Sequence, residues 1–102
     1  MGPSGLVLAG LLASYGIEVG IFEKNKSTVK EPRAVSIDDE SLRILQSFSL
    51  HEAVLENVSQ NYGSHYYDAK GKLFLKVEPN SCENGFFKRN AFDQPTFEST
   101  LR

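Results

Sequence analysis

Met1-Gly2-Pro3-Ser4-Gly5-Leu6-Val7-Leu8-Ala9-Gly10-Leu11-Leu12-Ala13-Ser14-Tyr15-Gly16 runs directly into Ile17-Glu18-Val19-Gly20-Ile21-Phe22-Glu23. Leu6, Leu8, Leu11 and Leu12, with small Ala9, Gly10 and Ala13 between them, predict a helix over about Ser4 to Tyr15. It is apolar on nearly all sides, the pattern of a buried helix. Gly16 stands where a left-handed C-terminal cap belongs. Ile17, Val19, Ile21 and Phe22 then predict a short strand that ends on Glu23, with Gly20 its weak point. Glycines opening a buried helix, then a strand ending in an acid about 20 residues on, form the second half of a dinucleotide fingerprint. In that motif Gly2 lets backbone approach a pyrophosphate and Gly5 allows close helix–strand packing. The free N–H groups and positive end of the helix face the pyrophosphate. Glu23 accepts hydrogen bonds from ribose hydroxyls. Taken alone, the same residues also fit a mobile terminus and a solvated strand end.

Outward from this unit, residues 24–32 are polar and read as a loop. A second helix is expected from Asp38 or Asp39 to about Phe48, with Asp38, Asp39 and Glu40 at its positive end. Ile37, Leu42, Ile44, Leu45 and Phe48 would supply its buried face. A further amphipathic turn or two covers His51 to Val58. The runs from Tyr62 to Tyr67 and from Lys72 to Glu78 flank Asp68-Ala69-Lys70-Gly71 and predict a β-hairpin with Gly71 in the turn. After a loop at Pro79–Gly85, a last helix begins near Asp93 and Gln94, with Pro95 in its first turn, and is expected to continue to Arg102.

With 102 residues, at most one small domain is expected. The residues are 40% hydrophobic and 24% charged, which argues against wholesale disorder. A formal net charge of −2 without a basic run makes nucleic acid and anionic membranes poor partners. The apolar run Leu6–Ala13 is far short of a membrane span and has no basic flank before it. Cys82 is the single cysteine, so an intramolecular disulfide is excluded and a reducing cytoplasm is the natural compartment. His51 and His65 lack ligand-like spacing, so no metal site is expected. The acids at 38–40 read as a helix cap rather than a cation site. Tyr66, Tyr67, Phe86 and Phe87 read as packing residues before they read as the lining of a substrate cavity.

Gly-Pro-Ser-Gly-Leu at positions 2–6, the helix after it and Val-Gly-Ile-Phe-Glu-Lys at 19–24 resemble the start of the FAD-dependent phenol and aromatic-acid hydroxylases, in particular the 3-(3-hydroxyphenyl)propionate hydroxylase branch. Pro32-Arg33-Ala34-Val35-Ser36-Ile37-Asp38-Asp39-Glu40-Ser41-Leu42-Arg43 is similar to the stretch after that branch's second strand. Arg89-Asn90-Ala91-Phe92-Asp93-Gln94-Pro95-Thr96-Phe97-Glu98 is similar to the segment entering its next cofactor-side helix. The likeness implies an α/β fold: a partial Rossmann-like FAD-binding domain lacking its first strand, with a β-hairpin insertion, over residues 1–102. It implies FAD contacts from Gly2, Pro3, Ser4, Gly5, Glu23, Lys24, Arg33 and Gln94. Arg33 would lie near the ribityl chain and pyrophosphate, where its planar fork suits phosphate and hydroxyl oxygens. Met1 stands where the motif's variable residue belongs.

The resemblance implies an NAD(P)H-driven monooxygenation in which reduced flavin and O₂ deliver one oxygen atom to a phenol. The cofactor carries that chemistry. The segment would hold the ADP half and part of the ribityl chain and supply no catalytic acid, base or metal ligand. A first strand, a later Gly-Asp motif and a substrate domain are absent from the 102 residues, so the isolated chain is expected to be inactive, marginally stable and prone to associate at an open strand edge. Two other readings remain at this point: part of an NAD-binding dehydrogenase or flavin disulfide reductase, and a non-catalytic truncated product or small interaction module.

Overall fold

A computed structural model describes residues 2–28 and 30–102 of the chain. The reading of Met1 as the motif's variable position lies outside the described residues. Helix α1 spans Pro3–Ser14 behind an extended Gly2. Pro3 occupies the first helical turn, where its fixed φ suits the helix and its missing N–H costs nothing. Gly16 ends the helix at φ +75°. The Gly16 N–H donates to the Ala13 carbonyl at 2.9 Å and the Ile17 N–H to that of Leu12 at 3.1 Å, so two otherwise unmatched helix-end carbonyls are satisfied.

The remaining elements are β1 (Ser36–Ile37), α2 (Asp39–Gln46), α3 (His51–Leu55), β2 (Val58–Ser59), β3 (Ser64–Tyr67), β4 (Leu73–Val77), β5 (Asn90–Phe92) and α4 (Gln94–Thr100). Strands β1, β5 and β2 form a small antiparallel sheet with β5 in the middle. Asn90 fixes it. Its side chain is fully buried. Its Nδ2 donates to the carbonyls of Phe87 at 2.8 Å and Ile37 at 3.3 Å, and its Oδ1 accepts the Asn61 N–H at 3.3 Å. The core gathers Ile37, Leu42, Leu45, Val54, Phe86 and Phe97, with Phe92 edge-on to Phe97 at 5.2 Å.

The cap expected among the acids at 38–40 forms, and a second one forms at Asp93. The Asp38 carboxylate accepts the Ser41 N–H at 2.9 Å at the start of α2, and Asp93 accepts both the N–H and the hydroxyl of Thr96 at the start of α4. Asp39 is instead buried and accepts from the Asn84 amide at 2.7 Å, tying the 79–85 loop to α2. The β3–β4 hairpin also forms. Asp68 Oδ1 accepts the N–H groups of Lys70 and Lys72, and Gly71 takes φ +78° in the turn.

Several expectations need correction. Residues 17–23 run without secondary structure and pair with no strand among the described residues. A strand exists by its ladder; without one, the apolar alternation leaves Ile17 and Ile21 half exposed and Phe22 95% exposed. Helix α1 is not buried all round. Leu6 and Ala9 are buried, while Leu8 on the far side is more than half exposed, because the chain covers only the face toward the core and α4. Ile44 is exposed rather than core, since it lies about 200° around the helix from Leu42 at ~100° per residue. Instead of continuing to Arg102, α4 ends at Thr100 with Leu101 as its C-cap. The amphipathic stretch after His51 leaves the helix at Leu55 and becomes strand at Val58.

Candidate functional site

A cleft of about 420 Å³ opens at the N-terminal tip of α1. Its walls come from four separated segments: the helix entry, the 23–28 loop, residue 33, and helix α4 with Arg102 just past its end. Of the residues singled out in the sequence, Gly2, Pro3, Glu23, Arg33 and Gln94 line it together. Ser4 does not; it lies on an apolar groove of about 440 Å³ between α1 and α2, with Val7, Leu8, Leu11 and Ile44. Gly5 and Lys24 line neither space, and Lys24 is exposed.

Each lining residue has a structural reason to be there. Gly2 is extended and opens into free space, where a Cβ would meet nothing within 4 Å. The first turn of α1 leaves backbone N–H groups without intrahelical acceptors and carries partial positive charge. Glu23 accepts the Asn25 N–H at 2.8 Å, a local turn in a loop that lines the cleft. Gln94 is almost fully buried at the start of α4. Its Oε1 accepts the backbone N–H groups of Arg33 at 2.7 Å and Ala34 at 2.9 Å, and its Nε2 donates to Glu98 at 2.8 Å. The side chain expected to meet a ligand therefore also clamps the loop that carries Arg33, and the two stand side by side.

Sequence reasoning missed Asn25, Ser27, Thr28, Glu98 and Arg102, all of which line the cleft. For Glu98 a signal existed: its i,i+4 spacing from Gln94 puts both on one helix face. The loop residues offered none, because their placement depends on how residues 24–32 fold back. Two carboxylates, two guanidinium groups and a helix tip thus face one concavity of ordinary small-molecule size, roughly 300–1,000 Å³. Such a set suits a ligand with anionic oxygens at one end and vicinal hydroxyls at the other. An open glycine at the helix tip, a carboxylate and a guanidinium lining one cleft are the groups that a dinucleotide's diphosphate and ribose would need.

The other tempting residues sit elsewhere. Tyr66 and Tyr67 line a shallow concavity along the hairpin, about 520 Å³, whereas Phe86 belongs to the core. Glu78 borders that concavity, and the Lys76 ammonium 2.7 Å away holds its carboxyl below the usual carboxylate range. His51 packs edge-on against Phe86, and Cys82 is exposed. Among the described residues no group of three or more side chains could hold a metal ion, and no helix is long and apolar enough to cross a membrane.

The family model described as "FAD binding domain" matches residues 1–101. A 3-(3-hydroxy-phenyl)propionate/3-hydroxycinnamic acid hydroxylase of Comamonas testosteroni is 40% identical over 100 residues, which is 98% of this chain and 17% of the relative. A second hydroxylase of the same name, from Burkholderia vietnamiensis, is 39% identical over 101 residues, 99% of this chain and 18% of the relative. The chain thus spans less than a fifth of the length of these relatives. The crystal structure of p-nitrophenol 4-monooxygenase from Pseudomonas putida superposes with a TM-score of 0.85 at 20% identity, covering 98% of this chain and 26% of that one. The fold is accordingly that of a partial Rossmann-like FAD-binding domain, with its sheets reduced to small antiparallel ones. By the family match over nearly its whole length, the chain belongs to the FAD binding domain family.

Proposed function

We propose that the cleft at the tip of α1 holds the ADP half of FAD and part of its ribityl chain, within a flavoprotein monooxygenase that hydroxylates phenolic substrates. The observation that carries this reading is convergence: Gly2, Pro3, Glu23, Arg33 and Gln94, drawn from segments up to 92 residues apart, line one concavity. The relatives' names add the substrate class, 3-(3-hydroxyphenyl)propionate and 3-hydroxycinnamic acid. NAD(P)H is the reductant and the cytoplasm the compartment in this proposal. The 102 residues act as one incomplete FAD-binding domain.

Bound FAD supplies the redox chemistry for oxygen transfer. The chain's own residues bind and orient. The open backbone at Gly2 lets the diphosphate approach the α1 tip, where N–H groups and partial positive charge stabilise anionic oxygens. Pro3 pre-sets the first turn, and Ser4 and Gly5 contribute backbone to the same tip. Glu23 accepts from the ribose hydroxyls, and Lys24, next in the chain and exposed, is free to reach toward the same group. The Arg33 guanidinium donates in a planar fork to phosphate or ribityl oxygens, and Gln94 holds Arg33 in place. None of these groups is positioned by this reading as a catalytic acid or base.

Titration of the chain with FAD, followed by flavin fluorescence, tests the proposal against NAD⁺ as competitor. FAD is expected to bind, ADP to compete, and NAD⁺ to compete weakly. Arg33→Ala and Glu23→Gln should each raise the dissociation constant by about tenfold or more, the worth of one charge-assisted hydrogen bond. Tight NAD⁺ binding without FAD binding would support the dehydrogenase reading instead.

A further inference from the structure

We infer that Glu98 is a positioning residue for the cleft: it orients the Gln94 amide, and through it the backbone that carries Arg33. The inference rests on the reading of the cleft as an FAD site. Glu98 is 2% exposed and Gln94 6% exposed, so water does not compete strongly for their polar atoms. An amide side chain has two chemically opposite ends, and its orientation follows from its partners. Here Nε2 donates to Glu98 Oε1 at 2.8 Å, which leaves Oε1 to accept the N–H groups of Arg33 at 2.7 Å and Ala34 at 2.9 Å. Rotated by half a turn, the amide would set its nitrogen against two N–H donors and its oxygen against a carboxylate oxygen. One carboxylate on α4 therefore selects the orientation that docks residues 33–34 sixty residues away in the chain, at the edge of the cleft that Glu98 and Arg33 both line.

Two substitutions in the 102-residue chain separate this role from general packing. Glu98→Leu removes the acceptor and keeps an apolar body of similar bulk; Glu98→Gln keeps an oxygen that can accept from Gln94. The first readout is amide hydrogen exchange at Arg33 and Ala34, with the Phe92 N–H, which donates to the Val35 carbonyl, as an internal control for folding. The second is the FAD dissociation constant. Glu98→Leu should speed exchange at Arg33 and Ala34 by about tenfold, leave Phe92 within about twofold, and raise the FAD dissociation constant about tenfold, the loss of roughly one well-made hydrogen bond. Glu98→Gln should stay within about twofold of the parent in both. The inference is overturned if Glu98→Leu changes neither readout, if Glu98→Gln loses as much as Glu98→Leu, or if protection falls at Phe92 as well. Should the parent chain bind no FAD, the reading of the cleft fails, and the exchange comparison still decides whether Glu98 holds the Arg33 loop.

Discussion

Asn90→Leu is the substitution whose cost follows most directly from the structure. Asn90 is 0% exposed, and its amide makes three hydrogen bonds, one at 2.8 Å and two at 3.3 Å. Each is worth about 1 kcal/mol net, with the longer two toward the low end. Leucine offers no partner, so the Ile37 and Phe87 carbonyls and the Asn61 N–H must seek others. Asn61 is exposed and can turn to water, whereas Ile37 is buried and its carbonyl faces desolvation without that bond. The added apolar burial of leucine recovers part of the loss. The balance is a destabilisation of about 2–3 kcal/mol, a large share of the roughly 5–15 kcal/mol typical of a whole domain. Urea unfolding followed by circular dichroism reads it: with a slope of about 1 kcal/mol per molar for a small chain, the midpoint should fall by about 2–3 M. Asn90→Asp should be no better, because a second oxygen would then face two carbonyls. A loss below about 0.5 kcal/mol for Asn90→Leu would refute the claim that this amide fixes the three-stranded sheet.

Two further outcomes follow from the caps and the open segment. Ser41, through its hydroxyl and then its N–H, holds the Asp38 carboxyl below the usual carboxylate range, and the Thr96 hydroxyl and N–H do the same for Asp93. A carboxyl lowered on folding stabilises the fold above its unfolded value of about 3.9, and that contribution is lost as pH falls through the lower folded value. Asp38→Ala should therefore cost about 1 kcal/mol at pH 7, with the gap to the parent closing below about pH 4; Asp93→Ala should show the same closing gap, and thermal melts across pH 2–7 check both. Phe22→Asp should leave stability within about 0.5 kcal/mol, because the ring is 95% exposed, and should reduce self-association in light scattering. A larger loss of stability would show that residues 17–23 are packed.

The parts of the fold legible in the sequence were those written by local chemistry. Gly16 ends α1, Asp38 caps the helix it precedes, Pro95 marks the first turn of α4, and Gly71 closes the hairpin turn. These signals need only a few neighbouring residues. The β1–β5–β2 sheet was invisible because its strands are two or three residues long, too short for a period of two to show, and because its organiser, Asn90, reads like any polar loop residue. Apolar pattern also overstated burial. The residues of α1 and of 17–23 are suited to cover on both sides, and the described chain covers one. In the cleft, the fingerprint and the family likeness together reached Gly2, Glu23, Arg33 and Gln94. They did not reach the double duty of Gln94, whose carbonyl is already engaged by backbone, nor Glu98 behind it, since both depend on a contact between residues 33 and 94 that no local pattern encodes.

In the proposed function a diphosphate sits at the tip of α1 with Glu23 on the sugar. Amide chemical-shift mapping of the isotopically labelled chain during titration with ADP tests it most directly. Saturable shifts are expected at Gly5, Leu6, Glu23 and Arg33, with the hairpin at residues 64–77 unmoved. Shifts confined to the hairpin concavity, or none at the helix tip under saturating ADP, would contradict it.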